Sequence, residues 1–311
     1  MSNHYVNHLY VGMALDPIHV GTGGSRIGRV DLSIVREPTT QIPKIPGSSL
    51  AGVYRAYVAM DTDKYPQCAG LGQARADGSG GHCGQPDCPV CTVFGFARGK
   101  DQAGGFAGLA SFSDAQVLLF PVPTRHGPHW VTCPMALTLI GQDIKLEADD
   151  KAVYKVKDGS RINIGWLYLP VKAYPDWTTL VQKLSETSIP DTITKNLALL
   201  PDELFSHVVN SNLEVRTSVS INPETGAAED KALFSYEALP RGTVLIWEVI
   251  TKNPKHFKVD GKDVSVKVNG QNMDTPEKVQ DVVKKANPYM EYLGVGGMGT
   301  RGMGRLKVVN G

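Results

Sequence analysis

The sequence predicts an α+β fold, a ferredoxin-like core carrying large insertions, in a single domain of 311 residues. Three observations predict it. Apolar residues recur with helical spacing in a few separated segments, while most other apolar runs are short and extended. The order of segments is strand, helix, further strands, helix, glycine loop and final strand, without regular β-α-β alternation. The 33 glycines and 20 prolines are spread along the chain and call for many turns and long loops.

Residues 9–15 alternate loosely and read as a strand, and residues 19–25 (HVGTGGS) as a glycine-rich loop. Residues 31–37 (DLSIVRE) are a short extended segment, after which Pro38, Pro43 and Pro46 keep the chain out of helix. Leu50, Val53, Tyr54, Tyr57 and Val58 then follow helical spacing. Gly47-Ser48-Ser49 precedes them, and a serine there can cap the first free backbone N–H groups. Residues 62–106 are polar, rich in Gly and Cys, and read as an insertion. Residues 109–122 and 130–139 read as strands, and residues 141–195 as a second insertion without clear periodicity. Residues 197–209 look helical.

Residues 213–239 contain the turn Asn222-Pro-Glu-Thr-Gly226 between two extended runs, which predicts a long, protruding β-hairpin. Residues 243–250 are another strand. Thr275-Pro276 opens a helix, with Thr as cap, Pro at the first position, Glu277 in the first turn and Val279, Val282, Val283 and Ala286 behind. Residues 294–304 are a second glycine-rich loop, and residues 305–309 close with a strand.

The composition, 41% hydrophobic and 20% charged, is ample for a buried core. No apolar run is long enough to span a bilayer, so no membrane partner is expected. The first residues, MSNHYVNHLYVG, lack the charged and apolar regions of a signal peptide, and a cytoplasmic location is expected. The net charge of +1 excludes a globally basic nucleic-acid binder. The balance is uneven, however. Arg26, Arg29, Arg36, Lys44 and Arg55 face few nearby carboxylates, and beyond Lys252 cations outnumber acids. Two such patches could fold into one surface, although each alone also fits ordinary solvated charge.

Cys68, Cys83, Cys88 and Cys91 fall close together, and Cys88-Pro-Val-Cys91 is a CxxC. Four thiolates suit tetrahedral Zn²⁺, and a closed Cys₄ site would hold the insertion together without doing chemistry. Disulfides are the main rival, and a redox CxxC needs a fold context of its own. His82 is an alternative ligand. Cys133 reads as core.

Gly294, Gly296 and Gly299 match GxGxxG, but here the motif follows a helix and precedes a strand, the reverse of a dinucleotide fold. The loop continues Gly299-Thr-Arg301-Gly302-Met-Gly304-Arg305. Glycines let backbone approach a polyanion, and arginines supply charge. Gly47, Ser48 and Ser49 at a helix start offer similar N–H groups. Either loop could also be a tight turn. Two of them, both flanked by cations, favour contact with a phosphate backbone.

HVGTG at 19–23, GRVDLSIVRE at 28–37, IPGSSLAGVYR at 45–55, SFSDAQVLLFPVPTRHGPHWVTCPMAL at 111–137, ALFSYEALPRGT at 232–243 and GVGGMGTRGMGR at 294–305 resemble the RAMP superfamily of CRISPR-associated proteins. They most resemble the backbone subunit of the type III-B (Cmr) effector complex. The resemblance implies an RRM-like, ferredoxin-type core and a protruding thumb hairpin, residues 213–239. It implies copies of the chain stacked in a helical filament along a CRISPR guide RNA, with other type III effector subunits. Each copy would cut single-stranded target RNA where its thumb kinks the duplex, using a divalent metal, Mg²⁺ or Mn²⁺. The family's catalytic aspartate corresponds to Asp31.

The chemistry is consistent with that implication. A neighbouring 2′-OH can act as nucleophile, and a carboxylate can accept its proton or hold a metal. His19 is a second acid/base or a phosphate-positioning group. Glu237, with Tyr236, is the next candidate. RNA contacts are expected from Arg29, Arg36, Lys44, Gly47, Ser48, Ser49, Arg55, Gly299, Arg301, Gly302 and Arg305. Two positions depart from the family: Ser33 stands where proline is frequent, and Ala51 where lysine is usual. Lys44 or Arg55 would have to make up for that lysine. The alternatives are an architectural RNA-binding subunit that does not cut, and a RAMP-type endoribonuclease that processes CRISPR RNA.

Overall fold

The computed structural model describes residues 4–23, 30–70, 81–97, 104–146, 151–229 and 233–311. Eleven strands form one large sheet. In chain order they are β1 (Tyr5–Ala14), β2 (Lys44–Ile45), β3 (Ala110–Phe112), β4 (Ala115–Thr124), β5 (Gly127–Thr132), β6 (Val153–Lys155), β7 (Gly159–Ile164), β8 (Leu167–Ala173), β9 (Leu197–Leu199), β12 (Val244–Lys252) and β13 (Leu306–Val308), with β10 and β11 kept for a separate hairpin. Across the sheet the order is β13-β1-β12-β4-β5-β9-β6-β8-β7, with β2 on β4 and β3 on β12.

Strand alternation divides the core between the two faces. Tyr10, Leu245, Trp247 and Val249 point into one apolar cluster, and Val11, Val244 and Ile246 into the other. The first cluster is closed by helices α1 (Gly47–Asp61), α2 (Pro89–Phe94), α5 (Pro276–Lys284) and α6 (Asn287–Leu293); the second by α3 (Trp177–Ser185). The predicted spacing of α1 holds, with Leu50, Tyr54 and Val58 buried. So does the start of α5, where the Lys278 N–H donates to Thr275 Oγ1 at 3.4 Å.

Three sequence expectations are corrected. No serine caps α1: Pro46 is its N-cap and Gly47 its first residue. Only glycine fits there, because a Cβ would lie 2.6 Å from the Phe112 carbonyl oxygen. The segment 197–209 is a strand before it is a helix. Leu197–Leu199 pairs in parallel with β5, and the Leu200-Pro201 step delays helix α4 to Asp202–Ser211. The strand expected over 130–139 stops at Thr132, where Cys133-Pro134 starts a short helix. The segment 141–195 contributes strands β6, β7 and β8 to the central sheet.

The predicted hairpin is present and lies outside that sheet. Its strands β10 (Glu214–Ser218) and β11 (Phe234–Ala238) pair antiparallel, Glu214 opposite Ala238 and Thr217 opposite Ser235. Ile221 bridges Ala228 nearer the tip. The turn closes through Gly226 N–H to Asn222 O at 2.9 Å and Glu224 N–H to Asn222 Oδ1 at 2.8 Å. Among the described residues no helix is long and apolar enough to cross a membrane.

Candidate active site

Strand β11 gathers the four predicted catalytic residues at the root of the hairpin. Leu32 bridges Tyr236 in parallel, with the Leu32 N–H on Ser235 O at 3.1 Å and the Glu237 N–H on Leu32 O at 3.1 Å. Ile18 bridges Leu239, so the segment before the first glycine loop is pinned to the end of the same strand. Residues 20–22 pair in turn with 33–35, through the Thr22 N–H on Ser33 O at 3.1 Å and the Val35 N–H on Val20 O at 2.9 Å.

This arrangement puts Asp31 on the surface, with Oδ2 accepting from the Ser235 N–H at 2.7 Å and the Ser235 hydroxyl at 2.9 Å. These two bonds hold the Asp31 carboxyl below the usual carboxylate range. Neither uses Oδ1. His19 is 7% exposed, and its Nδ1 lies 2.6 Å from the Glu237 carbonyl oxygen. A carbonyl can only accept, so Nδ1 carries the proton and Nε2 keeps its lone pair in the neutral ring. Tyr236 is buried edge-on to His19, with ring centroids 5.9 Å apart. Glu237 is buried in an ion pair, its Oε2 2.7 Å from Arg36 Nη2. That pairing joins strand β11 to the segment that carries Asp31.

The second glycine loop closes the corner. The Gly297 N–H donates to His19 O at 2.9 Å and the Gly304 N–H to Pro17 O at 2.9 Å. Gly296 has φ +79°, and a Cβ there would sit 2.4 Å from His19 O, so position 296 admits no side chain. Met303 packs with Tyr236 and Ala238. Arg301, exposed, lies over the Phe234 ring at 5.6 Å from its centroid. Gly299 and Gly302 flank it in the same loop. A polar groove of about 490 Å³ runs beside the site, lined by Thr22, Ser33, Ile34, Val35, Arg36 and others.

Among the other residues expected to contact RNA, Lys44, Arg55 and Arg305 hold protein partners. Lys44 Nζ is 2.6 Å from both Glu37 and Asp114. Asp114 also accepts the Gly47 N–H at 2.8 Å, so the start of α1 already holds a carboxylate. Ser48 is exposed and Ser49 half-buried in that first turn. Arg55 turns to the cysteine lobe, donating to Gly95 O and to His82 Nε2, and burial lowers its pKa. Neither Lys44 nor Arg55 is therefore spare to replace the lysine absent at Ala51. Arg305 pairs with Asp16 at 2.5 and 3.0 Å. Arg29 lies outside the described residues. Sequence reading missed Ser235 and Asp114, which act on Asp31 and Gly47 across 204 and 67 residues of chain, and no local pattern links them.

The four thiols of Cys68, Cys83, Cys88 and Cys91 lie within 4.8 Å of one another. Measured separations are 3.7 Å (Cys83–Cys91), 3.9 Å (Cys68–Cys88) and 3.6 Å (Cys68–Cys91). Among the described residues this is the only group of three or more ligand side chains able to hold a metal. Zn–S bonds of about 2.3 Å give a tetrahedron with S···S edges of about 3.8 Å, which these distances match. His82 stands outside the group. Cys133 is buried core.

Together these features define a strand-braced carboxylate, a buried histidine and a glycine-arginine loop on a large mixed sheet. The chain belongs to the RAMP superfamily, whose model matches residues 13–307. It is similar to the CRISPR system Cmr endoribonuclease Cmr4 of Pyrococcus furiosus, 26% identical over 94% of this chain and 92% of that one. In structure it is similar to a chain of the type III-B Cmr-beta complex bound to cognate target RNA, with a TM-score of 0.65, 16% identity and 98% of each chain covered. It is also similar to oligomeric Cmr4 from Pyrococcus furiosus, with a TM-score of 0.56, 19% identity and 99% and 100% coverage.

Proposed function

We propose that this chain is a guide-RNA-binding backbone subunit of a type III CRISPR effector complex, and an endoribonuclease that cuts complementary target RNA. The observation that carries the reading is the clamp of Ser235 on Asp31 at the root of the hairpin. It sits in a chain whose relative of matching length is described as a Cmr endoribonuclease. The core is of the ferredoxin or RRM type, and the hairpin over 213–239 is the thumb that kinks the guide–target duplex. Copies stack as a helical filament with other type III subunits in the cytoplasm, which sets the regular spacing of the cuts.

In the cut, a 2′-oxygen attacks the adjacent phosphorus and the bond to the 5′-oxygen breaks. The proton leaves the 2′-OH, and one is supplied to the 5′-oxygen. Asp31, held ionised by Ser235, is a weak proton acceptor and a strong site of negative charge. His19 Nε2 suits the proton transfer, with Glu237 O fixing the ring. Tyr236 and the Arg36–Glu237 pair position these two groups. Asp31 is one carboxylate without a protein cage, so a divalent metal, Mg²⁺ or Mn²⁺, would be held by its Oδ1 and by phosphate oxygens of the RNA. Such a cation supplies charge stabilisation at the reacting phosphate. Arg301, Gly299 and Gly302 take guide or target phosphate, while Zn²⁺ in the four thiolates holds the cysteine lobe.

The test is Asp31→Ala in the assembled complex. Target cleavage is abolished while guide and target binding persist; undiminished cutting by the variant refutes the assignment.

A further inference from the structure

At the edge of the sheet, the β7–β8 hairpin carries a surface that the site above does not use. Trp166, in its turn, is 88% exposed and Tyr168 54%. The Arg161 guanidinium lies over the Tyr168 ring at 5.3 Å and donates to Tyr168 O at 3.0 Å. Arg125 Nη2 donates to Arg161 O at 3.3 Å, and a hollow of about 300 Å³ beside them is lined by Lys157, Asp158 and Arg161 among others. Asp158 Oδ1 is occupied by the Ala173 N–H at 2.8 Å. No ion pair among the described residues takes Arg125, Lys157 or Arg161.

The turn is also tied to the thumb. Gly165 packs so tightly on Asn212 that a Cβ would fall 2.5 Å from its Nδ2, and Asn212 is two residues before β10. We infer that Trp166 and Tyr168, with Arg125, Lys157 and Arg161, form a second RNA-contact platform, which takes a single-stranded stretch of RNA beside the root of the hairpin. Exposed aromatic planes among unpaired cations suit bases that stack and phosphates that need charge. A protein partner would have to bring carboxylates to the same surface. The inference rests on the RNA-binding reading above.

The test titrates the full chain with a single-stranded oligouridine and follows tryptophan fluorescence with iodide as quencher. The chain has four tryptophans; Trp247 is 1% exposed and Trp130 and Trp177 are half-buried, against 88% for Trp166, so Trp166 is the one most open to iodide. RNA is expected to shield it, Trp166→Phe to remove the shielded signal but keep most of the affinity, and Trp166→Ala to weaken binding about tenfold. Asp31→Ala should shield as the native chain does. Binding that is indifferent to Trp166→Ala, with iodide access unchanged by RNA, overturns the platform and leaves the cutting site untouched. Shielding that grows with protein concentration without RNA, together with a smaller sedimenting species for Trp166→Ala, makes it a protein contact and also overturns it. A native chain that binds no RNA refutes the wider reading first.

Discussion

Glu237→Gln separates bracing from chemistry at the root of the hairpin. Glu237 Oε2 takes Arg36 Nη2 at 2.7 Å and the Ile34 N–H at 3.4 Å. Arg36 is further held by Asn210 Oδ1 at 3.0 Å and Ile34 O at 3.1 Å. These bonds join β11, the Asp31 segment and helix α4. Removing one partner of a buried ion pair costs about 3–5 kcal/mol. The Arg36 side chain is 20% exposed, so water recovers part of that loss. An amide also still accepts a hydrogen bond. The expected cost is about 2 kcal/mol for Gln and roughly 3 kcal/mol for Ala. For a chain of this size that lowers the melting temperature by about 3–5 °C. Thermal unfolding of the purified variant measures the shift, and cleavage well below the midpoint should fall modestly for Gln, which still accepts from Arg36, and further for Ala. A variant of native stability that no longer cuts refutes the reasoning and makes Glu237 a chemical group.

Ser235→Ala removes one of the bonds that keep the Asp31 pKa low, so that pKa rises. The ionised form exists above the pKa, so the acid limb of the cleavage pH profile moves to higher pH; an unmoved limb takes Asp31 ionisation out of the rate. Metal analysis of the purified chain should return about one zinc per chain, and Cys88→Ser should release it and lower the melting temperature. A metal-free native chain ends that assignment. RNA affinity should fall with salt, and Arg301→Ala should reduce the slope of log affinity against log salt by about 1; an unchanged slope removes Arg301 from the phosphate surface.

What was legible in the sequence was local. The spacing of Leu50, Tyr54 and Val58, the Thr275-Pro276 start and the turn at 222–226 each depend on residues a few positions apart, and each formed as read. The four cysteines were legible as a cluster because they lie close in sequence as well as in space. Residues 197–199 were not, because a short apolar run suits a buried strand and a helix equally, and only pairing with β5 decides. The ion pairs of the cations were not legible either, because Asp114, Glu237 and Asp16, which pair with Lys44, Arg36 and Arg305, are distant in the chain. Resemblance singled out Asp31, but its partner Ser235 became visible only in three dimensions.

That partner changes how the hairpin and the cut relate. Strand β11 is one arm of the hairpin, and the same strand carries Ser235 to Asp31, Tyr236 to His19 and Glu237 to both His19 and Arg36. β10 and β11 pair from Glu214 opposite Ala238 to Ser218 opposite Phe234, so a displacement of β10 is passed to the strand that carries these contacts. On the thumb reading proposed above, bending the hairpin against a duplex would shift Ser235 and with it the hold on Asp31.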